Sequence, residues 1–181
     1  MNIENKYKIE EAASKHPTRY ILQGVHVANV NGSAKAVATD GRILAMVPVE
    51  IEPEDTVGVT ARAETFKRAR KAYKKQKISF IKLNGKATVR ELDGEVSFDY
   101  VDGNYPNFSQ VIPKPTEKTF KLSFDVNNLV RLWKALGGED AKQLGVTLTV
   151  GHDGSAVDVN RPVEVTVDGQ GYGLLMQMRK S

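Results

Sequence analysis

The feature that most constrains this chain is a periodic set of two-residue turns. Asn-Gly occurs at 31–32 and 84–85, and Asp-Gly at 40–41, 93–94, 102–103, 153–154 and 168–169. Such pairs accept the positive φ that tight hairpins require, so the segments between them read as antiparallel strands. The expected strands are 19–30, 35–39, 42–49, 77–83, 86–92, 95–101, 144–150, 155–160, 163–168 and 171–178. Several are rich in β-branched residues, as in GVTLTV at 145–150 and VEVTV at 163–167. The Asn-Gly and Asp-Gly turns begin at 31 and 40, then at 84 and 93, nine residues apart both times.

Two segments break the strand pattern and read as helices. In 61–76, Phe66, Ala69 and Tyr73 recur at i, i+3 and i+7 with basic residues around them. In 125–137, Asp125 is placed to cap the N-terminus, and Val126, Leu129, Val130, Trp133 and Leu136 form an expected buried stripe. Gly137-Gly138 ends that helix. A shorter helix is expected at 7–15, stopped before Pro17. The chain therefore reads as helix, strand, turn, strand, turn, strand, given twice. A third unit runs from about 118 to the C-terminus with looser turn spacing. One sheet and one helix bury too little for a core, so the units are expected to pair.

Charge is unevenly distributed. Residues 61–77 hold eight basic residues and one acid, a local charge of +7, which leaves the remainder of a +4 chain at −3. A concentrated basic element is the electrostatic footprint of a polyanion binder, although a solvated lysine face carries the same signature. The 181 residues suffice for one core or two small domains, and 40% hydrophobic with 27% charged residues excludes neither. There is no cysteine, so no disulfide framework and no thiolate nucleophile or metal ligand is available. The charged N-terminal segment is unlike a secretory signal, and no run of 18 apolar residues occurs, so a cytoplasmic protein is the expectation.

Enzyme chemistry finds little support. His16, His26 and His152 have no metal-ligand spacing, and no GxxxxGK[ST] phosphate loop occurs. GQGYG at 169–173 falls in an expected hairpin, not at a strand-to-helix junction. Asp40 and Asp102 both sit in Asp-Gly turns, where local hydrogen bonding accounts for them. No catalytic residue, metal or cofactor is expected. No helix-turn-helix, zinc-finger or RNP signature appears either, so base-specific reading is not expected.

The short motifs are more specific. AVATDGRILA at 36–45, DGNYPNFSQVIP at 102–113 and LLMQMR at 174–179 resemble, in the same order, three stretches of the bacterial DNA polymerase III beta subunit. In that family, the sliding clamps, they look like ATDGxRLA, DGxFPDYxxVxP and a terminal MPMR. TRYILQG at 18–24 is similar to a fourth stretch, just before the family's first hairpin. The resemblance implies an α+β fold of the DNA-clamp type, with outer antiparallel sheets and helices on one face. It implies a clamp-like domain over 1–115, matching the family's middle domain with its first helix shortened. Residues 116–181 would be a half domain, similar to the second half of the last clamp domain.

Function follows from the same resemblance as an expectation. Clamps dock short peptides of partner proteins in a pocket between the middle and last domains. Its walls would here be Leu22, Thr39, Gly41, Leu44, Pro106, Val111, Leu174, Met176, Met178 and Arg179. Flexible, polarizable methionines suit a surface with several partners, and Arg179 suits a peptide carboxylate or carbonyl. Ile43, Gln110 and Gln177 depart from the family pattern, which implies a different peptide preference. For duplex DNA, the basic helix offers Lys67, Arg68, Arg70, Lys71, Lys74 and Lys75 as sequence-independent phosphate contacts. Arg131 and Lys134 on the second helix, and Arg19 and Tyr20, are further candidates. The implied protein is a non-enzymatic processivity clamp that tethers a polymerase or other replication proteins and forms a homo-oligomer, either a tetrameric ring or a dimer. The alternative is a non-ring mimic or adaptor that binds clamp-directed peptides or DNA.

Overall fold

Turn chemistry decides the first sheet. In the computed structural model, which describes residues 1–112, 122–138, 145–150, 162–167 and 170–178, Asn31 and Gly32 both take positive φ, 52° and 79°. That is the geometry of a turn whose twist matches its flanking strands. It joins β2 (Gly24–Val30) to β3 (Ser33–Thr39), with Val27 opposite Ala36. β4 (Leu44–Pro48) pairs with β3 after the Asp40-Gly41 turn. The second repeat behaves alike: β7 (Lys82–Asn84), β8 (Lys86–Glu91) and β9 (Gly94–Phe98) form an antiparallel meander.

The chain forms two compact units, Met1–Val111 and Ile112–Ser181. In the first, two strands appear that turn spacing does not announce. β5 (Val59–Arg62) adds to β2, giving the sheet order β4-β3-β2-β5. β1 (Asn2–Glu4) pairs with β6 (Ile78–Phe80). The strand expected over 77–83 is consequently broken at Ile81. Its N–H donates to the Met1 carbonyl at 3.0 Å, its carbonyl accepts from the Met1 amino group at 2.9 Å, and its side chain is buried. β6 thus belongs to one sheet and β7 to another.

Helix α1 spans Ala63–Ala72 rather than 61–76, because β5 takes the residues before it; at its end the Tyr73 N–H donates to the Ala69 carbonyl at 2.9 Å. The short helix expected at 7–15 is a single 3₁₀ turn, Ile9–Ala12, and the strand expected from 19 begins at Gly24, after a second such turn at Tyr20–Gln23. The expected stripe of α1 is correct: Phe66 and Ala69 are buried and Tyr73 packs beside them. They meet Val25, Val27, Ala36 and Ala38 of the first repeat, Ala87 and Val89 of the second, and Ile9, Ala12 and Ala13 of the 3₁₀ turn. The two repeats share one core, and burying Phe66 there contributes about 1.5–3 kcal/mol.

The second unit is thinner. Helix α2 (Val126–Ala135) starts where expected, with Asp125 Oδ1 accepting from the Asn127 N–H at 2.8 Å. β10 (Thr147–Thr149), β11 (Val163–Val167) and β12 (Gln170–Leu175) form an antiparallel sheet. β10 and β12 are shorter than the strands expected over 144–150 and 171–178, and the strand expected at 155–160 lies outside the described residues. Val163, Val165, Val167 and Leu175 are buried, and Leu132 of α2 lies so close to Gly173 that an added Cβ would meet its Cδ1 at 2.7 Å. The expected fully buried stripe of α2 is not found. No α2 residue is buried, and Val126 and Val130 are 66% and 45% exposed. Among the described residues the unit has one sheet and one helix, which cover one side of that helix only.

Candidate functional site

Residues 18–24 act as a hub on the first unit. Arg19 reaches across so that Nη1 donates to the Asp40 carbonyl at 2.5 Å. Its guanidinium lies over Gly41, where a Cβ would meet Nη1 at 2.7 Å and where φ is +90°. The angle calls for glycine, while the guanidinium, the end of a flexible side chain, is free to shift. Asp40 Oδ1 accepts from the N–H groups of Arg42 (2.8 Å) and Ile43 (2.9 Å). Those of Ile43 first and Arg42 second hold its carboxyl below the usual 3.8. Thr39 Oγ1 accepts from the Gly41 N–H at 3.0 Å and donates to the Ile43 carbonyl at 2.5 Å. Asp40 is a turn-former, as its dipeptide implies.

Tyr20 leans the other way. A Cβ on Gly103, at φ +111°, would meet its Oη at 3.2 Å. The 18–24 segment therefore touches both the 39–44 turn and the 102–103 turn, and three of the four motif segments gather on one part of the first unit. Leu22, Thr39 and Leu44 are half-buried there, while Gly41, Pro106 and Val111 are exposed, Val111 to 69%. In the second unit Leu174, Met176 and Met178 are exposed at 53%, 58% and 54%, and the Met178 N–H donates to the Ser123 carbonyl at 2.7 Å. Arg179 lies outside the described residues.

Sequence reasoning missed what anchors the 102–111 segment. The Tyr105 ring stacks on His26 with centroids 4.7 Å apart and planes 5° from parallel, and Phe108 meets both rings edge-on. His26 Nδ1 lies 3.0 Å from Thr60 Oγ1 on β5. The aromatic pair at 105 and 108 is visible in the motif, but its partner His26 lies in another strand far back in the chain and gives no signal. Burial lowers the His26 pKa from 6.5 and pushes the Tyr105 phenol up to about 12. A histidine with a lowered folded pKa contributes stability that is fully present above its unfolded value and is lost as pH falls through the folded one. Urea unfolding is expected to show the protein weakening as pH falls below about 6.5, with part of that decline removed by His26→Phe. Equal pH dependence in the two proteins would show that His26 does not contribute.

The basic element sorts into two groups. Arg68 Nη1 donates to Glu91 at 3.1 Å, its Nε lies 3.6 Å from Glu64, and its guanidinium sits 5.8 Å from the Phe98 ring centroid. Arg70 is paired with Glu10, whose side chain is 6% exposed. These two arginines tie α1 to β8 and to the first 3₁₀ turn. Lys67 and Lys71 on α1, and Lys74 and Lys75 in the turn after it, are exposed and form no ion pair among the described residues. They line a hollow of about 870 Å³ together with Glu64, Glu91, Leu92 and Asp93. On α2, Arg131 and Lys134 are exposed, and Arg131 donates to Asn128 Oδ1 at 3.4 Å. Among the described residues no three His, Asp or Glu side chains group to hold a metal ion, and no helix is long and apolar enough to cross a membrane.

Comparison with known proteins adds an independent line. No family model matches the chain. The beta sliding clamp of Caulobacter vibrioides (strain NA1000 / CB15N) is 30% identical over 188 aligned positions, covering 91% of this chain and 48% of that protein. The beta sliding clamp of Pseudomonas putida is 25% identical, covering 93% and 53%. The chain spans about half the length of the curated relatives it matches. Among solved structures, the C. crescentus beta sliding clamp superposes with a TM-score of 0.71 at 20% identity, over 100% of this chain and 50% of that one. DNA polymerase III subunit beta from Borrelia burgdorferi gives 0.71 at 14% identity, over 97% and 48%. The fold is the DNA-clamp fold, as the motifs implied. The chain is a relative of the bacterial beta sliding clamps, the beta subunits of DNA polymerase III, and spans about half their length.

Proposed function

We propose that the chain is a sliding-clamp-like processivity factor of DNA replication. It binds duplex DNA without sequence preference and tethers a polymerase or other replication proteins through short peptides, in the cytoplasm, as a homo-oligomer and without catalytic chemistry of its own. The observation that carries this reading is the gathering of three clamp-like segments about residues 18–24, with Arg19 over Gly41 and Tyr20 over Gly103. That arrangement leaves Gly41, Pro106 and Val111 exposed beside half-buried Leu22, Thr39 and Leu44, an apolar surface with an open backbone edge. In the second unit, Leu174, Met176, Met178 and Arg179 are proposed as further peptide contacts, the exposed methionines supplying adaptable apolar anchors. The DNA half is supported by Lys67, Lys71, Lys74 and Lys75, which meet phosphate as point charges and read no base. Arg19, Tyr20, Arg68, Arg70, Arg131 and Lys134 remain proposed contacts of smaller weight, since Arg19, Arg68 and Arg70 already hold internal partners.

Replacing Met176 and Met178 together by serine tests the peptide half. Both are exposed, so the thermal transition is expected to stay in place. Fluorescence anisotropy of a labelled clamp-binding peptide is expected to show affinity reduced by about 10–100-fold, the loss of one or two apolar anchors. Unchanged affinity would remove the methionines from the binding surface.

A further inference from the structure

We infer that His26 is a positioning residue for the proposed peptide surface: stacked on Tyr105, it pins residues 102–111, and with them Pro106 and Val111, to the first sheet. Strand alternation places the ring. Val25 and Val27 of β2 point into the core shared with α1, so His26 between them points to the opposite face. Across that face His26 stands opposite Val37 of β3 and Thr60 of β5, and its Nδ1 lies 3.0 Å from Thr60 Oγ1. Val37 is fully buried although it is not part of the helix-side core, so this face is covered as well. The cover at His26 is aromatic. The Tyr105 ring lies 4.7 Å away and nearly parallel, and Phe108 meets both rings edge-on.

Among the described residues no backbone–backbone hydrogen bond joins 102–111 to the rest of the unit. The nearest, from the Val101 N–H to the Thr60 carbonyl at 2.8 Å, precedes the segment. What the rings hold, their neighbours inherit. Pro106 follows Tyr105 directly with a fixed φ, and Phe108 opens the 3₁₀ turn that ends at Val111. Tyr105 and Phe108 are half-buried while Pro106 and Val111 are exposed, so the segment turns its rings to the sheet and its proposed wall residues outward. The ring beneath them is titratable, and its surroundings disfavour a charge. On the sheet face that carries His26, the charged side chains are Lys35 of β3 and Arg62 of β5, both cations, and β4 brings only Leu44, Met46 and Pro48. The segment itself adds Asp102, which lines a hollow with Arg62 and Glu64, and Tyr105, whose phenol, pushed up to about 12, stays neutral. Burial lowers the His26 pKa from 6.5, so protonation favours the segment released from the sheet. The segment is therefore held fully above pH about 6.5 and loosens as pH falls through the lowered value.

The inference rests on the proposed peptide reading, and two measurements on the full chain keep the two apart. Anisotropy of a labelled clamp-binding peptide is expected to show affinity that is level above pH about 7 and declines below about 6.5. His26→Ala is expected to lower affinity about 2–10-fold at neutral pH, the strength of one aromatic pair. His26→Phe keeps a ring for the stack and removes the titration, so it should bind within about twofold of the parent and with a flatter pH profile. Hydrogen exchange over residues 102–111 needs no peptide. At neutral pH it should quicken in His26→Ala and stay at the parent rate in His26→Phe. Unchanged exchange in His26→Ala overturns the inference whatever the peptide does. Peptide affinity equal to the parent's in His26→Ala, or as weak in His26→Phe as in His26→Ala, also overturns it. Should His26→Ala fail to fold, the His26→Phe profile decides, and a decline as steep as the parent's overturns the inference. A chain that captures no peptide at any pH, yet exchanges faster over 102–111 in His26→Ala, overturns the peptide reading while His26 still holds the segment.

Discussion

Reversing Lys67, Lys71 and Lys74 to glutamate is expected to cut affinity for duplex DNA by roughly two orders of magnitude or more at low salt, and to flatten its salt dependence. Each phosphate neutralised by a lysine releases condensed counterions, so log K falls with log salt at a slope of about −0.9 per contact. Losing three contacts should therefore make the slope shallower by about 2.7. The fold is expected to survive, because these side chains point to solvent and the core stripe of α1 is Phe66 and Ala69. The informative control is the paired change Arg68→Gln with Arg70→Gln. Its larger effect should be on stability, since Arg70 holds Glu10 and Arg68 holds Glu91 and Glu64. Glu10 is almost fully buried, and a buried charge that loses its partner costs several kcal/mol. If the lysine reversals leave affinity and slope unchanged, α1 is not the DNA contact.

The second large effect is on folding. Asp55→Ala is expected to destabilise the chain by about 3–5 kcal/mol, the cost of breaking a buried ion pair by removing one member. The Asp55 carboxylate accepts from the Met1 amino group, from the Leu83 N–H at 2.8 Å and from the Glu52 N–H at 3.0 Å. The exposures of the two charged groups are 0% and 1%. The Met1 amino group also donates to Ile81, the residue at which the chain passes from β6 to β7, so one contact holds β1, the 52–56 loop and the sheet switch together. Burial alone would push the Asp55 carboxyl up. The amino group and the two N–H donors outweigh it and hold it below 3.8. A carboxylate with a lowered folded pKa contributes stability that is present above its unfolded value and lost as pH falls through the folded one. The advantage of the parent over Asp55→Ala in urea unfolding should accordingly persist at neutral pH and shrink below pH about 3.8. A difference under about 1 kcal/mol at neutral pH would mean the pair contributes little.

The parts of this fold that are legible in sequence are those governed by local chemistry. Asn31-Gly32 specifies its hairpin because few other pairs tolerate two positive φ angles, and Asp125 announces the start of α2 through a contact two residues away. What depends on distant partners is not legible. β1 and β5 are three and four residues long, carry no turn signal, and exist because β6 and β2 offer free edges. Ile81 looks like the middle of one strand until Met1 binds it on both sides. The candidate site divides similarly. Its motif segments are readable from the family resemblance and its lysines from charge. The engagement of Arg19 by Asp40, of Arg70 by Glu10 and of Tyr105 by His26 joins residues far apart in the chain, and only the fold reveals it. The buried stripe expected of α2 is not found among the described residues, because an apolar arc records what a helix is able to bury, not what is packed against it.

The most direct test of the clamp reading is a titration of the parent chain with two duplexes of unrelated sequence, followed by anisotropy from about 50 to about 200 mM salt. The account predicts affinities that agree between the two sequences and that fall linearly on a double-logarithmic plot, with a slope of roughly −3.6 if Lys67, Lys71, Lys74 and Lys75 each meet one phosphate. No binding at the lowest salt, or a preference of more than about tenfold for one sequence, would contradict it.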